Sequence, residues 1–199
     1  MRKLCTYLFL ILFSFSAPSF ASDISDFQIE GISIGDSLLN HLSKEEIVNE
    51  IESNKSTYNY LTDEFGEVYL MIDNFEIYKP LSFFVKPNDK NYIIHRIRGV
   101  IVYDNKIEQC YTKQKEIVKE FSLQFKNTKK KEHDFIFPWD PTGKSHVFNI
   151  QFFFNSGDVI TVSCAEYEKD LKIENNWQDG LSVAISKKRV SDWLSNHIN

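Results

Sequence analysis

The clearest indication of the fold is the stretch FNIQFFFNSGDVITVSCA, residues 148–165. Apolar side chains occupy every second position of residues 148–154, which is the period of a strand with one buried face. The polar residues 155–158 then predict a tight turn, and the alternation resumes over residues 159–165. The stretch therefore predicts an antiparallel hairpin that carries Cys164 on its apolar face.

The segment before this hairpin, residues 107–125, has the period of a helix. Its apolar side chains recur three and four positions apart, and they form one stripe that includes Cys110 and ends at Phe125. Most of its lysines lie outside the stripe. We expect this stripe to pack on the sheet, so that Cys110 and Cys164 point into the same core.

The N-terminus has the organisation of a signal peptide. Arg2 and Lys3 precede an apolar run over residues 4–15, and residues 19–21 supply the small side chains of a cleavage site. This run is shorter than the roughly 20 residues that a membrane-spanning helix needs. We therefore predict a signal peptide over residues 1–21 and a periplasmic or secreted mature chain without a transmembrane segment. An uncleaved anchor is the alternative.

Cleavage would also settle the pairing of the cysteines. It removes Cys5 and leaves Cys110 and Cys164 in an oxidising compartment, where an isolated pair has one choice of partner. We predict an intramolecular disulfide between them, with two buried thiols as the alternative. A redox role is not indicated, because the chain has no Cys-x-x-Cys pair.

A capping box marks the start of an earlier helix. The Ser43 hydroxyl can accept a hydrogen bond from the Glu46 backbone N–H, while the Glu46 carboxylate accepts one from the Ser43 N–H. This motif predicts a helix over residues 44–51 that buries Ile47 and Val48.

Between the two helices, alternating apolar positions predict strands over residues 68–72, 81–85 and 92–103. Within the last of these, Gly99 marks either a bulge or a close approach by the chain. The charged residues 126–134 predict a loop.

A strand over residues 181–186 and a terminal helix that contains Trp193 complete the chain. The order of helices and strands predicts one α+β domain over residues 22–199, with an antiparallel sheet and helices packed on one face. The same order fits two tandem α-β-β-β units, with halves over residues 22–104 and 105–199, that form either one sheet or two.

The charge balance argues against one class of partner. The 199 residues include 23 basic and 28 acidic side chains, which gives a net charge of −5. Loss of Arg2 and Lys3 with the signal peptide leaves 21 basic against 28 acidic residues, a charge of −7. A nucleic-acid-binding protein normally shows a basic face, so no nucleic-acid partner is expected.

No local motif predicts a catalytic, cofactor or metal site. Gly143, Lys144 and Ser145 resemble the end of a phosphate-binding loop, but Pro138 stands where that loop needs glycine. The five histidines are scattered, and no pair has the i, i+4 spacing of a metal site. Residues 31–35, GISIG, have the spacing of the Gly-x-Ser-x-Gly motif of serine hydrolases, but they lie in a short entry segment and not between a strand and a helix, as that motif requires, so only a triad of distant residues stays open.

Aromatic residues are numerous, with 17 Phe, 9 Tyr and 3 Trp. Core packing accounts for most of them. Phe135, Phe137 and Trp139 differ, because they lie beside prolines in a segment predicted as a loop, and aromatic residues in loops are frequent in binding surfaces. These three residues are the candidate contact surface.

Two resemblances add to this interpretation. Residues 27–39, FQIEGISIGDSLL, together with Cys110 and Cys164, resemble a group of uncharacterised exported small proteins of marine alphaproteobacteria. More loosely, Ile34 and Gly35 followed by residues 43–48 are similar to the opening of the outer-membrane assembly lipoprotein and β-lactamase-inhibitor-like folds. The first resemblance implies export. The second implies helices on a small antiparallel sheet that binds other proteins, although this chain lacks a lipid-attachment cysteine.

The sequence thus predicts an exported, non-enzymatic binding or envelope-associated protein whose partner is another envelope protein. The alternatives are a small periplasmic hydrolase and a carrier of a small apolar ligand. A pocket lined by convergent polar groups would favour the enzyme, and a fully packed core would disfavour both alternatives.

Overall fold

A computed structural model describes residues 24–58, 60–71, 77–104 and 106–197, so the predicted signal peptide lies outside the described residues. In chain order the structure contains β1 (Gln28–Ile29), β2 (Ile32–Ser33), α1 (Lys44–Thr57), β3 (Gly66–Leu70), β4 (Leu81–Val85), β5 (Arg96–Val102), α2 (Ile107–Gln124), β6 (Lys129–Ile136), β7 (His146–Phe153), β8 (Val159–Glu166), α3 (Lys169–Asn175), β9 (Gly180–Ser186) and α4 (Lys188–His197). No helix in these ranges combines the length and the apolar character that crossing a membrane requires.

Seven strands form one antiparallel sheet in the order β3-β4-β5-β9-β8-β7-β6, while β1 and β2 pair with each other. The junction between the two halves of the chain is the β5–β9 pair, whose register runs from Arg96 opposite Ser186 to Val102 opposite Gly180. The predicted α+β class is confirmed. Both halves contribute strands to a single continuous sheet.

The two faces of the sheet are covered by different helices. Ile47 of α1 and Phe121 of α2 belong to the large buried cluster that contains Phe83. Phe84 points to the opposite face because side chains alternate along a strand. It packs against Trp193 of α4, with ring centroids 6.1 Å apart. The prediction that the helices pack on one face is therefore not confirmed, because α4 lies on the face opposite α1 and α2.

The disulfide between Cys110 and Cys164 joins α2 to β8, and the two Cα atoms are 5.9 Å apart. Both cysteines are fully buried, as the two apolar patterns predicted. One turn further along α2, the Gln114 side-chain amide donates hydrogen bonds to the carbonyls of Phe148 and Val162, both at 2.9 Å. A covalent bond and a buried amide therefore fix α2 to the sheet.

The predicted capping box opens α1, with both reciprocal hydrogen bonds between Ser43 and Glu46 present. The helix continues past its predicted end to Thr57. The extension is polar, and Asn54 stabilises it by donating a hydrogen bond to the Glu67 carbonyl at 3.0 Å. Such a tertiary contact leaves no periodic pattern in the sequence.

The predicted loop over residues 126–134 is wrong, because β6 occupies most of that segment. All eight residues of this strand are exposed at the edge of the sheet, so no apolar alternation marks it. Phe135 consequently lies in a strand and not in a loop. The short helix α3 was not predicted, and it has no buried residue that could signal it.

Details of two other predicted elements also differ. The strand predicted over residues 92–103 begins only at Arg96, and Tyr92 has a left-handed φ of 45°. Gly99 keeps regular pairing on both sides, and a Cβ there would lie 2.7 Å from the Tyr78 ring, so the close approach applies and the bulge does not. Val48, predicted to be buried, is 38% exposed. The strand predicted over residues 68–72 ends at position 70, and residue 72 lies outside the described residues.

Candidate binding groove

The side chains on one face of β3, β4 and β5 form the floor of a groove. Arg96 and Arg98 lie two positions apart on β5 and therefore project from the same face, as Glu67 and Tyr69 do from β3. The strand register places Glu67, Phe84 and Arg96 in one row. The next row on the same face consists of Tyr69, Ser82 and Arg98. This is the face on which α4 packs, so the floor lies opposite the main core.

Aromatic rings from segments outside the sheet form the walls. The wall residues are Tyr58, Tyr60, Phe137, Trp139, Tyr167 and Trp177. Floor and walls together enclose a cavity of about 410 Å³, which we call the inner groove. This volume is within the range of roughly 300 to 1,000 Å³ that is typical of small-molecule sites.

A second cavity of about 500 Å³, the outer groove, adjoins the inner one. Thr57, Asn175 and His197 line it together with four of the same aromatic residues. Tyr60 and Trp139 line both cavities, and their rings stack with centroids 6.0 Å apart. This stacked pair therefore lies at the boundary between the two cavities.

The three residues of the candidate contact surface are divided by the structure. Phe137 packs edge-on against Tyr167 and Trp177, with ring centroids 5.2 and 5.3 Å away. Trp139 is 44% exposed, and like Phe137 it lines the inner groove. Phe135 is 38% exposed on β6 and does not line the groove. The contact role of all three remains a prediction.

Asp140 shapes the loop that carries Trp139. Its carboxylate accepts hydrogen bonds from the backbone N–H groups of Thr142, Lys144 and Ser145, at 2.6, 3.0 and 2.6 Å. Burial alone would raise the pKa of Asp140, but the hydrogen bonds from Ser145 and Thr142 outweigh it and hold the pKa well below its ordinary value. The carboxylate is therefore ionised at neutral pH and keeps the turn in place.

Asp179 holds the opposite wall. It is 2% exposed and accepts hydrogen bonds from the Tyr167 backbone N–H at 2.8 Å and from the Lys172 ammonium at 2.6 Å. The Trp177 backbone N–H in turn donates to the Lys172 carbonyl at 3.1 Å. One buried ion pair thus connects Tyr167, α3 and Trp177.

The first row of the floor contains opposite charges that are already engaged. Arg96 donates a hydrogen bond to the Ser186 hydroxyl at 3.1 Å, and its guanidinium lies over the Phe84 ring, 5.2 Å from the centroid. Burial and repulsion by Arg98 lower the pKa of Arg96 from 12.5 to about 10, so it is charged at neutral pH. Glu67 is 2% exposed and accepts a hydrogen bond from the Tyr60 hydroxyl at 2.9 Å.

The second row contains polar groups without partners. Within the described ranges the Arg98 guanidinium forms no hydrogen bond and no ion pair. Ser82 stands beside Arg98 in the same row and is 3% exposed, and its hydroxyl has no hydrogen-bond partner in the part of the chain that the structure describes. Arg98 lines the inner groove, so its guanidinium is a charged donor that a ligand can engage, whereas the Ser82 hydroxyl is buried and does not line the groove.

Sequence reasoning missed the floor of the groove. The alternation that predicted a strand around Arg96 and Arg98 also places both on one face, and that signal was available. Nothing in the sequence indicates that Glu67 lies two strands away on the same face, because that proximity depends on the sheet order.

Among the described residues, no group of three or more His, Cys, Asp and Glu side chains could hold a metal ion. No protein-family model, curated protein or solved structure matches this chain.

Proposed function

We propose that the protein is an exported, non-enzymatic binding protein and that the inner groove is its ligand site. The observation that carries this proposal is the composition of the groove, in which eight aromatic side chains surround two arginines. Ligand sites of this kind are mostly apolar, with a few polar groups that fix the orientation of the ligand. The unpartnered Arg98 is such a group.

The chemistry of the groove supports binding over hydrolysis. A hydrolase needs a nucleophile beside a base, and the inner groove offers Glu67 hydrogen-bonded to the Tyr60 hydroxyl. Burial, and then the charge of Glu67, raises the pKa of Tyr60, so this phenol is neutral and acts as a donor. His197 in the outer groove stacks on Trp193, and its Nδ1 lies 2.8 Å from the Trp193 carbonyl.

A carrier of an apolar ligand would hold that ligand in a cavity between the sheet and the helices. The inner groove lies elsewhere. The space between the sheet and the helices α1 and α2 contains the main buried cluster, which includes Phe83 and Phe121. The inner groove lies on the opposite face and has charged residues on its floor. It suits a ligand that combines an apolar body with a polar group.

Export is supported by two features of the chain. Residues 1–21 have the pattern of a signal peptide, and a buried disulfide such as Cys110–Cys164 persists in oxidising compartments. We expect N-terminal sequencing of the periplasmic protein to begin near Ser22. Recovery of the intact N-terminus, from Met1, in the membrane fraction would contradict this.

The second candidate function is contact with another envelope protein through Phe135, Phe137 and Trp139. The exposure of Phe135 and Trp139, 38% and 44%, favours it. In that case the exposed rings bind the partner as a surface, and the groove behind them holds no ligand.

We expect Trp139→Ala to weaken binding of the neutral aromatic dye N-phenyl-1-naphthylamine by about tenfold or more, because the substitution removes a wall of the groove. The melting temperature should change little, since the side chain is 44% exposed. A fluorescence titration measures the dissociation constant.

The matched control is Phe135→Ala, which removes an aromatic ring of similar exposure from outside the groove. It should bind the dye as the unmodified protein does. Equal losses in the two variants would favour the second candidate function. Absence of saturable dye binding to the unmodified protein would contradict the groove as a ligand site.

A further inference from the structure

We infer that the ligand of the inner groove is a small organic monocarboxylate attached to a flat apolar ring, with Arg98 holding the carboxylate. This inference rests on the proposed function and goes further, because it names the chemical class of the ligand. Three properties of the groove support this inference: the net charge of its floor, the unpartnered N–H donors of Arg98 and the aromatic rings of its walls.

The floor carries one uncompensated positive charge. Arg96 and Arg98 contribute two positive charges, and the carboxylate of Glu67 contributes a negative one in the same row as Arg96. This local excess occurs in a chain whose net charge is −5. A monoanion neutralises the floor, whereas a phosphate dianion would leave a negative charge beside Glu67. The charge balance therefore selects a singly charged anion.

The unpartnered donors match the shape of a carboxylate. A guanidinium presents a planar fork of N–H donors that fits the two oxygens of a carboxylate. Arg98 has no other hydrogen-bond or ion-pair partner in the described ranges, so its fork is available. The guanidinium of Arg98 lines the inner groove, whereas the buried hydroxyl of the adjacent Ser82 does not. One carboxylate can therefore pair with the fork of Arg98.

The walls select the rest of the ligand. Trp139, Tyr60 and Trp177 present ring faces and edges, which attract another flat ring at centroid distances of about 4.5 to 7 Å. Besides the hydroxyl and indole N–H groups of its tyrosines and tryptophans, the groove is lined by two neutral polar side chains, the amides of Asn176 and Gln178. A flat apolar ring fits these aromatic walls.

Isothermal titration calorimetry with indole-3-acetate and its uncharged analogue indole-3-acetamide tests the inference on the unmodified protein. We expect the acid to bind about 10- to 100-fold more tightly than the amide at low salt, which is the usual size of a charge-assisted contact. Equal affinities would overturn the monocarboxylate assignment and leave the groove as a ligand site. Failure of both probes, with the neutral dye still binding, would overturn the ligand class alone.

The substitution Arg98→Gln tests whether Arg98 binds the carboxylate of the ligand. The variant should lose most of its preference for the acid while its affinity for the amide is unchanged. Lys131→Gln is the matched control, because it removes the same charge from the same row of the sheet, four strands away on β6. The control should bind both probes normally. Retained selectivity in Arg98→Gln, or an equal loss in the control, would overturn the role of Arg98. If Arg98→Gln does not fold, the comparison of acid and amide on the unmodified protein still decides the inference.

Discussion

Replacing Cys110 and Cys164 together with alanine is expected to lower the free energy of unfolding by about 2 to 4 kcal/mol without abolishing the fold. The disulfide closes a loop of 54 positions, for which the chain-entropy estimate of about 4 kcal/mol is an upper guide. The double substitution avoids the free thiol that a single one would leave. Urea unfolding of the variant and the unmodified protein measures the difference.

The control for this substitution uses the unmodified protein. Treatment with a reductant should lower its stability by a similar amount, and the denatured protein should show no titratable thiol at positions 110 and 164 until a reductant is added. Two thiols titrating at those positions without reductant would contradict the disulfide.

Replacing Asp179 with alanine should cost about 3 kcal/mol, because it leaves the Lys172 ammonium without its partner in a largely buried position. The same substitution removes the acceptor of the Tyr167 backbone N–H. Since Tyr167 and Trp177 form one wall of the inner groove, dye affinity should fall together with stability. Urea unfolding and the dye titration measure the two effects.

A double-mutant cycle with Lys172→Met supplies the control. If the two side chains form a coupled ion pair, the double variant should regain part of the stability that Asp179→Ala loses, because the uncompensated charge is gone. Strictly additive losses would show that the two residues act independently, and Asp179 would then matter through the Tyr167 backbone alone.

The elements with strong local periodicity were predictable from the sequence. The hairpin over residues 148–165 and the helix α2 each have an unbroken apolar pattern, and this placed both cysteines correctly. The position of α4 was missed although β4 carried a signal for it. All five residues of β4 are buried and four of them are apolar, including the consecutive Phe83, Phe84 and Val85, as is typical of a strand that is covered on both faces.

The groove was only partly predictable. Phe137 and Trp139 were predicted to be contact residues because they are aromatic residues beside prolines, and both line the inner groove. Arg96 and Arg98 belong to no local motif. They meet the aromatic residues only because β5 lies in the interior of the sheet and the loop after β6, the segment after β8 and the C-terminal end of α3 converge on the same face. Convergence of distant segments leaves no pattern in the sequence.

The most direct test of the inner groove as the ligand site is a nuclear magnetic resonance titration that follows the three tryptophan indole N–H signals while the neutral dye is added. Trp139 and Trp177 line the inner groove, whereas Trp193 is 4% exposed in the cluster beneath α4 and lines neither cavity. We expect the signals of Trp139 and Trp177 to shift in proportion to dye occupancy while that of Trp193 changes little. Unchanged signals from Trp139 and Trp177, with shifts confined to the backbone around Phe135 on β6, would contradict the groove as the binding site.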